Sequence, residues 1–416
     1  MILTLRENWA LFLGIGLLTI SNGLLGTVLT IRGYGIGFSE ATIGLMQAGY
    51  PLGALLGCVI APKLVEKVGH IRAFGALASL CSTAAIVHLI TVDAWTWGVM
   101  RLLAGFCYPG LYVVAESWLN AKATNLNRAR ILSIYFVVAA AGSSTGSALA
   151  AIEDPNGVLL FGATSILISI SLVPMLLSAV KAPDYAAPDR LPARALFAIS
   201  PTAMLVAGVN GVLAAVMFLG LPLYGLALGL SAGAAAGLVV TSSLAGAVFQ
   251  YPLGWMSDRV DRRIVMSLAS IIAAAVAFAL AMGVWPFGLL SGVALLSGLT
   301  FPIYSIAAAH ANDQLAPGQI IPASGTMVLV LNLGILGGAL SGPALVGAAG
   351  PRAMMVFVGL LSVAMFLVAS WRAARVNAPE ETGTAQALNV QGLQVGTVLH
   401  PEAERDEPAG GDGSWR

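Results

Sequence analysis

The sequence predicts an all-α membrane protein in which twelve transmembrane helices form two pseudo-symmetric six-helix bundles. Of the 416 residues, 58% are hydrophobic and only 9% are charged, whereas soluble domains have about 25% charged residues. Twelve apolar runs are long enough to cross a bilayer core about 30 Å thick, which takes about 20 helical residues. Segments of the second half also repeat segments of the first half, about 192 residues later in the chain.

The twelve predicted spans fall into two groups of six. Helices and closed barrels are the structures that satisfy every backbone group in lipid, and these runs lack the alternation of barrel strands, so we predict helices. The first six spans cover roughly residues 9–31, 42–61, 73–92, 95–119, 129–152 and 157–180. The second six cover roughly residues 200–228, 230–252, 264–283, 286–310, 320–346 and 351–374.

Polar segments divide the chain into four predicted regions. Residues 1–180 form an N-terminal six-helix bundle, and residues 200–374 form a C-terminal one. Between them, residues 181–199 contain three prolines and five charges, which indicates a cytoplasmic linker. Residues 375–416 turn polar and acidic, which predicts a disordered cytoplasmic tail.

Lysine and arginine are distributed unevenly between the two faces of the predicted bundle. The connections after even-numbered spans carry basic clusters such as Lys63 with Lys67 and Arg262 with Arg263; we call this side the basic face. The connections after odd-numbered spans form the neutral face, which is nearly bare of positive charge. Because cytoplasmic loops carry an excess of these residues, both termini are predicted to be cytoplasmic. The protein is then expected to be a multi-pass protein of the plasma membrane, the inner membrane in a bacterium.

The internal repeat has the same order and the same parity in both halves. The segment PKLVEKVGHIR from Pro62 aligns with GWMSDRVDRR from Gly254, each after the second span of its half. In the fourth spans, AGFCYP (104–109) aligns with SGLTFP (297–302). A repeat six spans apart predicts a parallel duplication about an axis along the membrane normal.

Polar and aromatic residues inside the spans are candidates for lining a cavity. Arg101, Gly105, Tyr108, Tyr112 and Glu116 recur every three or four residues and form one stripe of span 4 about 80° wide. An arginine at mid-membrane costs roughly 3 kcal/mol, which a water-filled cavity or a buried partner offsets. The other candidate cavity residues are Asn22, Arg32, Asn210, Tyr224 and Tyr304.

Each candidate also has a structural interpretation, and the sequence leaves both open. Arg101 is compatible with an ion pair inside the first bundle, and Arg32 with snorkelling to the neutral-face interface. The tyrosines are compatible with packing. The asparagines are compatible with hydrogen bonds between neighbouring helices.

Several motifs resemble those of the major facilitator superfamily. GWMSDRVDRR resembles the loop signature G-x-x-x-D-R-x-G-R-R/K, with Asp261 where the family usually has glycine. Its first-half copy is more degraded, with Pro62 at the glycine position. Arg101 followed by Gly105 resembles the R-x-x-x-G signature of the fourth span. VVAESWLN (113–120) and FPIYSIAAAHAND (301–313) are similar to the YcaD-like branch. The glycine-rich segment 142–146 resembles an antiporter signature but lacks its Gly-Pro pair, so antiport gains little support.

The resemblance covers roughly residues 9–374 and implies the major facilitator fold, in which two bundles rock about a site at the bilayer midplane. It implies that spans 1, 4, 7 and 10 line the cavity and that the loop motifs act as a gate at the basic face. The candidate gating or coupling residues are Glu66, Lys67, Glu116, Asp258, Arg259, Arg262, Arg263, His310 and Asp313. Alternatively, the loop arginines only keep their loops on the cytoplasmic side of the membrane.

Two of these residues carry more specific expectations. Glu116 lies toward the basic loops, so we interpret it as part of a gate, with proton carriage as the alternative. Asp313 occupies the corresponding end of span 10 and is expected near Arg259 and Arg262. Pro302 is expected to bend the same span.

These expectations favour a secondary active transporter of a small organic solute, coupled to protons and working by alternating access. The alternatives are a passive facilitator and a transporter-like membrane sensor or interaction protein without flux. Two cavity cations, Arg32 and Arg101, against one acid, Glu116, predict a neutral or anionic substrate. The other predicted partners are protons and the lipid bilayer, with no nucleic acid at a net charge of +1, and the protein is expected to be a monomer. The sequence has no phosphate-binding loop or metal-ligand spacing, and its three cysteines are scattered, so we expect neither an enzyme nor a cofactor or metal site.

Overall fold

The computed structural model describes residues 2–122, 128–152, 154, 157–176 and 190–375. Within these ranges twelve helices are long and apolar enough to cross a membrane, which confirms the predicted fold class. Most of the predicted linker, residues 181–189, and the tail from residue 376 lie outside the described residues.

The first half contains helices α1 to α6. Their bounds are Ile2–Gly35 for α1, Glu40–Val68 for α2, His70–Ile90 for α3, Ala94–Lys122 for α4, Arg128–Ile152 for α5 and Leu159–Leu176 for α6. The Ser39 hydroxyl caps α2 by accepting from Thr42 N at 3.2 Å. Gly69, at a φ of 84°, makes the sharp connection between α2 and α3 that a residue with a side chain would rarely adopt.

The second half contains helices α7 to α12, preceded by a short helix at Ala193–Ile199. The bounds are Pro201–Ala227 for α7, Ala232–Ser257 for α8, Arg262–Met282 for α9, Leu289–Asn312 for α10, Ile320–Ala349 for α11 and Pro351–Arg375 for α12. A π-helical turn interrupts α7 at Val216–Gly220. The α-helix of α10 is interrupted at Phe301 and Pro302, because proline has no N–H to continue the ladder.

The same helix packing recurs in both halves. In the first half α2 packs on α4, α1 on α5 and α3 on α6, and in the second half α8 packs on α10, α7 on α11 and α9 on α12. The pairs correspond at a shift of six helices, as a parallel duplication requires. Contacts of α2 with α11 and of α5 with α8 connect the two halves.

Glycine allows the closest of these helix contacts. Gly49, Gly53 and Gly57 lie four residues apart on α2 and face α4. A Cβ atom on Gly53 would lie 2.0 Å from the Leu102 carbonyl oxygen. In the second half, a Cβ on Gly334 of α11 would lie 2.1 Å from the carbonyl oxygen of residue 208 on α7. Small residues of this kind are typical of membrane helices whose backbones touch.

The two halves are joined at the neutral face. The largest buried apolar cluster combines residues from the whole length of the second half with first-half residues from the neutral-face ends of their helices, among them Leu24, Leu29, Ile43, Trp97 and Phe161. A second cluster contains first-half residues alone and extends to the basic face, with members such as Leu11, Val65, Phe74 and Ile131. The described residues therefore adopt a conformation that is closed at the neutral face, with separate apolar cores toward the basic face.

Candidate functional site

Polar side chains from α1, α2 and α4 meet inside the first half. Asn22 Nδ2 donates to the Tyr50 hydroxyl at 3.0 Å and to the Tyr112 hydroxyl at 3.4 Å. The hydroxyls of Ser21 and Tyr108 lie 2.8 Å apart. The Tyr108 ring centroid is 6.2 Å from that of Tyr50 and 6.0 Å from that of Tyr112. We call these five residues the tyrosine cluster; it brings together three of the predicted cavity residues.

Arg101 is buried against the tyrosine cluster. Its Cζ atom lies 4.5 Å from the centroid of the Tyr50 ring, a cation–π distance. The residue is 2% exposed, and its Nε and Nη1 atoms have no hydrogen-bond partner among the described residues. Because a buried cation with unused donors is unfavourable, this guanidinium is a strong candidate to bind an incoming acceptor such as a carboxylate.

The R-x-x-x-G pattern has a steric explanation in this site. Gly105 lies one turn after Arg101, and a Cβ atom there would lie 2.0 Å from the Tyr50 carbonyl oxygen. Glycine therefore lets the α2 backbone approach α4 closely enough to place the Tyr50 ring over the guanidinium. Tyr50 is absent from the residues predicted to line the cavity. Gly49 and Gly53, spaced four residues apart beside Tyr50, are the sequence signal that this part of α2 packs closely against another helix.

Arg32 lies elsewhere, in an aromatic box near the neutral face. Its Cζ atom is 4.9 Å from the centroid of the Phe161 ring and 5.9 Å from that of Trp97. The buried His88 ring is 6.5 Å from the Phe161 ring and 6.0 Å from the Trp97 ring. Arg32 is 8% exposed and, like Arg101, has Nε and Nη1 atoms without a hydrogen-bond partner among the described residues. It lies between α1, α4 and α6, apart from the tyrosine cluster.

The second-half candidates are more dispersed. Asn210 is fully buried on α7 and donates from Nδ2 to the Thr300 carbonyl oxygen at 2.7 Å, beside the interruption of α10. This is the helix–helix hydrogen bond that was the alternative interpretation of the residue. Tyr224 and Tyr304 are both buried in the large apolar cluster that joins the halves.

Arg262 is the centre of an ion network at the basic face. Its Nε atom lies 2.7 Å from Asp313 Oδ2, and its Nη1 atom lies 3.2 Å from Asp258 Oδ1. The side chains of Arg262 and Asp313 are 1% and 4% exposed, and that of Asp258 is 27% exposed. The network connects the α8–α9 loop to the end of α10, so the expected proximity of Asp313 and Arg262 is present. Arg259 instead lies over the Trp255 ring, with Cζ 4.0 Å from its centroid.

Asp261, the departure from the loop signature, caps α9. Its Oδ1 atom accepts from Arg263 N at 2.9 Å, and Oδ2 pairs with Arg263 Nη2 at 2.7 Å. Arg263 also donates from Nη1 to the carbonyl oxygen of Arg372 on α12. Burial raises the pKa of Asp261, but the hydrogen bonds and charge of Arg263 outweigh it and hold that pKa below its usual value. The aspartate therefore joins the start of α9 to α12 through Arg263.

The corresponding positions of the first half differ. His70 occupies the place of Arg262 in the repeat, and its Nε2 atom lies 2.9 Å from the Ser117 hydroxyl. Glu66 and Lys67, the counterparts of Asp258 and Arg259, are exposed. The two loop motifs therefore use different chemistry at the same position in the fold.

Two further coupling candidates are buried near the basic-face ends of α4 and α10. Glu116 is 1% exposed and accepts from the Tyr135 hydroxyl of α5 at 2.6 Å. His310 is buried one turn before Asp313, and its Nε2 atom lies 2.9 Å from Gln314 Nε2. The hydrogen bond with Tyr135 therefore joins Glu116 to α5, a neighbouring helix of its own half. Lys67, a gating candidate of the same half, is exposed.

Twelve membrane-crossing helices in duplicated halves, with a polar cluster buried between helices, are the architecture of a multi-pass membrane protein. The sequence model of the Major Facilitator Superfamily matches residues 11–241 and 203–398, so the chain belongs to that superfamily. It is accordingly a membrane transporter of the inner membrane, built to carry a small molecule, and not an enzyme.

Relatives and solved structures agree with this assignment. An uncharacterized MFS-type transporter of Yersinia pestis (strain Pestoides F) is 24% identical over 338 residues, covering 80% of this chain and 87% of the relative. The uncharacterized MFS-type transporter YcaD of Salmonella newport (strain SL254) is 24% identical over 341 residues, covering 80% and 86%, which confirms the resemblance to this branch. The crystal structure of the nucleoside transporter NupG (D323A mutant) shares the fold, with a TM-score of 0.74, 13% identity, and coverage of 88% of this chain and 99% of that one.

Proposed function

We propose that the protein is a proton-coupled secondary transporter that moves a neutral or anionic small organic solute by alternating access. In this proposal the tyrosine cluster and Arg101 form the first-half part of the substrate site. The observation that most supports this substrate site is the buried guanidinium of Arg101. Two of its nitrogen atoms lack hydrogen-bond partners among the described residues.

The charge of Arg101 supports the choice of substrate class. At an effective dielectric near 20, two unit charges 4 Å apart interact with about 4 kcal/mol before desolvation. A cationic solute would meet that repulsion, whereas an anion or a hydrogen-bond acceptor would occupy the unused donors. The tyrosine rings and hydroxyls offer an apolar surface with polar edges, which suits an aromatic or sugar-like body.

Ligand binding tests the substrate class. Thermal-shift measurements on purified protein would screen neutral, anionic and lipophilic cationic compounds against wild type and Arg101→Ala. We expect neutral or anionic ligands to stabilise wild type and to lose that effect in Arg101→Ala. Arg352→Ala, which removes an exposed arginine at the neutral face, is the control and should bind like wild type. Tight binding of a cation that survives Arg101→Ala would refute the charge argument.

We assign the proton-coupling role to Glu116. Its carboxyl group is buried and bonded to Tyr135, so taking up or releasing a proton changes the charge inside the first half. In proteoliposomes a proton gradient should drive solute accumulation by wild type, and Glu116→Gln should retain solute exchange but lose accumulation. Flux that ignores the pH gradient would instead indicate a facilitator, and binding without flux would indicate a sensor.

We further propose that the basic face is cytoplasmic, with bundles at 1–180 and 200–374 on either side of the linker 181–199. The distribution of lysine and arginine supports this orientation. Reporter fusions at Ala187 and in the tail should report the cytoplasm, and a fusion near Pro155 should report the opposite side. A cytoplasmic signal near Pro155 would overturn the orientation.

A further inference from the structure

Arg190, at the end of the linker, reaches across to the first half. Its Nη2 atom donates a hydrogen bond to the carbonyl oxygen of Cys58 on α2. The intrahelical donor to that carbonyl would come from the residue four positions later, but this residue is Pro62, which has no N–H. A proline in α2 thus creates the acceptor that the linker arginine uses.

The same linker segment is fixed to the second half. Leu191 N donates to the Pro322 carbonyl oxygen at 3.2 Å, and the Thr326 hydroxyl donates to the Leu191 carbonyl oxygen at 2.5 Å. A Cβ atom on Gly325 would lie 3.7 Å from both Cγ and Nε of Arg190. The arginine side chain therefore runs along α11 over a position that has no side chain, and it ends on α2.

We propose that Arg190 is a positioning residue for the transport cycle, a strut that holds α2 and α11 apart at the basic face. It stabilises the conformation in which the halves are joined at the neutral face. This inference rests on the proposed alternating access. When the basic face closes, α2 and α11 converge there, and the guanidinium has to leave the Cys58 carbonyl. A bond present in only one of two states shifts their equilibrium toward that state.

Distances between the halves measure this equilibrium without any substrate. Spin labels at Arg72→Cys and Gly318→Cys would mark exposed positions at the basic-face ends of the first and second halves. The native cysteines, Cys58, Cys81 and Cys107, are replaced by alanine, which leaves the Cys58 carbonyl in place. In double electron–electron resonance, Arg190→Ala should raise the ratio of short to long distances about tenfold, the effect of one hydrogen bond from a charged donor. Arg194→Ala, which removes an exposed arginine from the same linker region, should leave the distribution unchanged.

Two more variants separate the strut from a simple loss of charge. Pro62→Ala restores an N–H to α2 that competes for the Cys58 carbonyl, so it should shift the distances in the same direction with Arg190 intact. Arg190→Lys, which keeps a donor on a long side chain, should restore much of the wild-type distribution. Distributions identical to wild type in both Arg190→Ala and Pro62→Ala would overturn the proposal.

Failure of the Arg190 proposal can be distinguished from failure of the proposed transport function. A distance shift in a protein that shows no solute flux would support the strut and refute transport. Normal gradient-driven flux with unchanged distances in both variants would refute the strut and leave transport standing.

Discussion

Gly105→Ala is expected to separate α2 from α4 and to disturb the tyrosine cluster. The added Cβ atom would lie 2.0 Å from the Tyr50 carbonyl oxygen and 2.7 Å from its carbonyl carbon. Carbon–oxygen contacts between packed helices are normally about 3.3 Å or longer, so the two backbones have to move apart by roughly 1 Å. Both neighbouring atoms belong to the backbone, so no side-chain rotation relieves the clash.

The size of the effect follows from two opposing terms. Overpacking a close-packed interior costs about 1–3 kcal/mol, whereas replacing glycine by alanine in a helix contributes about 1 kcal/mol of stability. Gly75→Ala on α3 is the matched control, because nothing lies within 4 Å of a Cβ atom there. Gly75→Ala therefore gains the helix stability that alanine contributes without the cost of overpacking. The free energies of unfolding of the two variants should therefore differ by about 1–3 kcal/mol, with Gly105→Ala the less stable.

Denaturant unfolding of the purified protein in detergent measures this difference. A ligand found for wild type provides a second readout, since moving Tyr50 away from Arg101 should weaken binding in Gly105→Ala and leave it unchanged in Gly75→Ala. The reasoning is wrong if Gly105→Ala is as stable as the control.

The basic-face network gives two further predictions. Asp313→Asn should lower the free energy of unfolding by about 1.5–3 kcal/mol, because it removes a buried charged partner of Arg262 while Asp258 remains. Asp258→Asn should cost about 1 kcal/mol or less, because its carboxylate is 27% exposed; denaturant unfolding that ranks the two in the opposite order would contradict this. Since Arg263 holds the pKa of Asp261 below its usual value, that carboxylate stabilises the fold fully above about pH 3.9 and progressively less as the pH falls through its folded-state pKa. Asp261→Asn should therefore flatten the acid side of a stability–pH profile, and an unchanged acid side would exclude this contribution.

The fold was predictable because hydropathy and the internal repeat report directly on helices in lipid. The predicted spans match the observed helices to within a few residues along much of the chain. At Pro302, where a bend is expected, the α-helix of α10 is interrupted. The π-helical turn at Val216–Gly220 left no local signal, because it lies in an apolar run whose period changes only slightly.

The candidate site was predictable only where its residues lie on spans that the sequence marks for the cavity, as Asn22 does on α1. Tyr108 and Tyr112 follow from the stripe on α4. Tyr50 lies on α2, which was not among the spans that the family resemblance implies for the cavity. Arg32 is a predicted cavity residue whose neighbours, the rings of Trp97 and Phe161, were not predicted. Those rings lie about 65 and 130 residues later in the chain, and no periodic pattern connects them to α1.

The ion network also changes how a gate at the basic face has to work. The pairs that Arg262 makes with Asp258 and Asp313 lie wholly within the second half, so rocking the halves does not by itself break them. A contact biases the two conformations only if it differs between them. These two ion pairs therefore hold the α8–α9 loop to the end of α10, and a gate would need a contact that also meets the first half. With 27% of its side chain exposed, Asp258 is the most exposed of the three members.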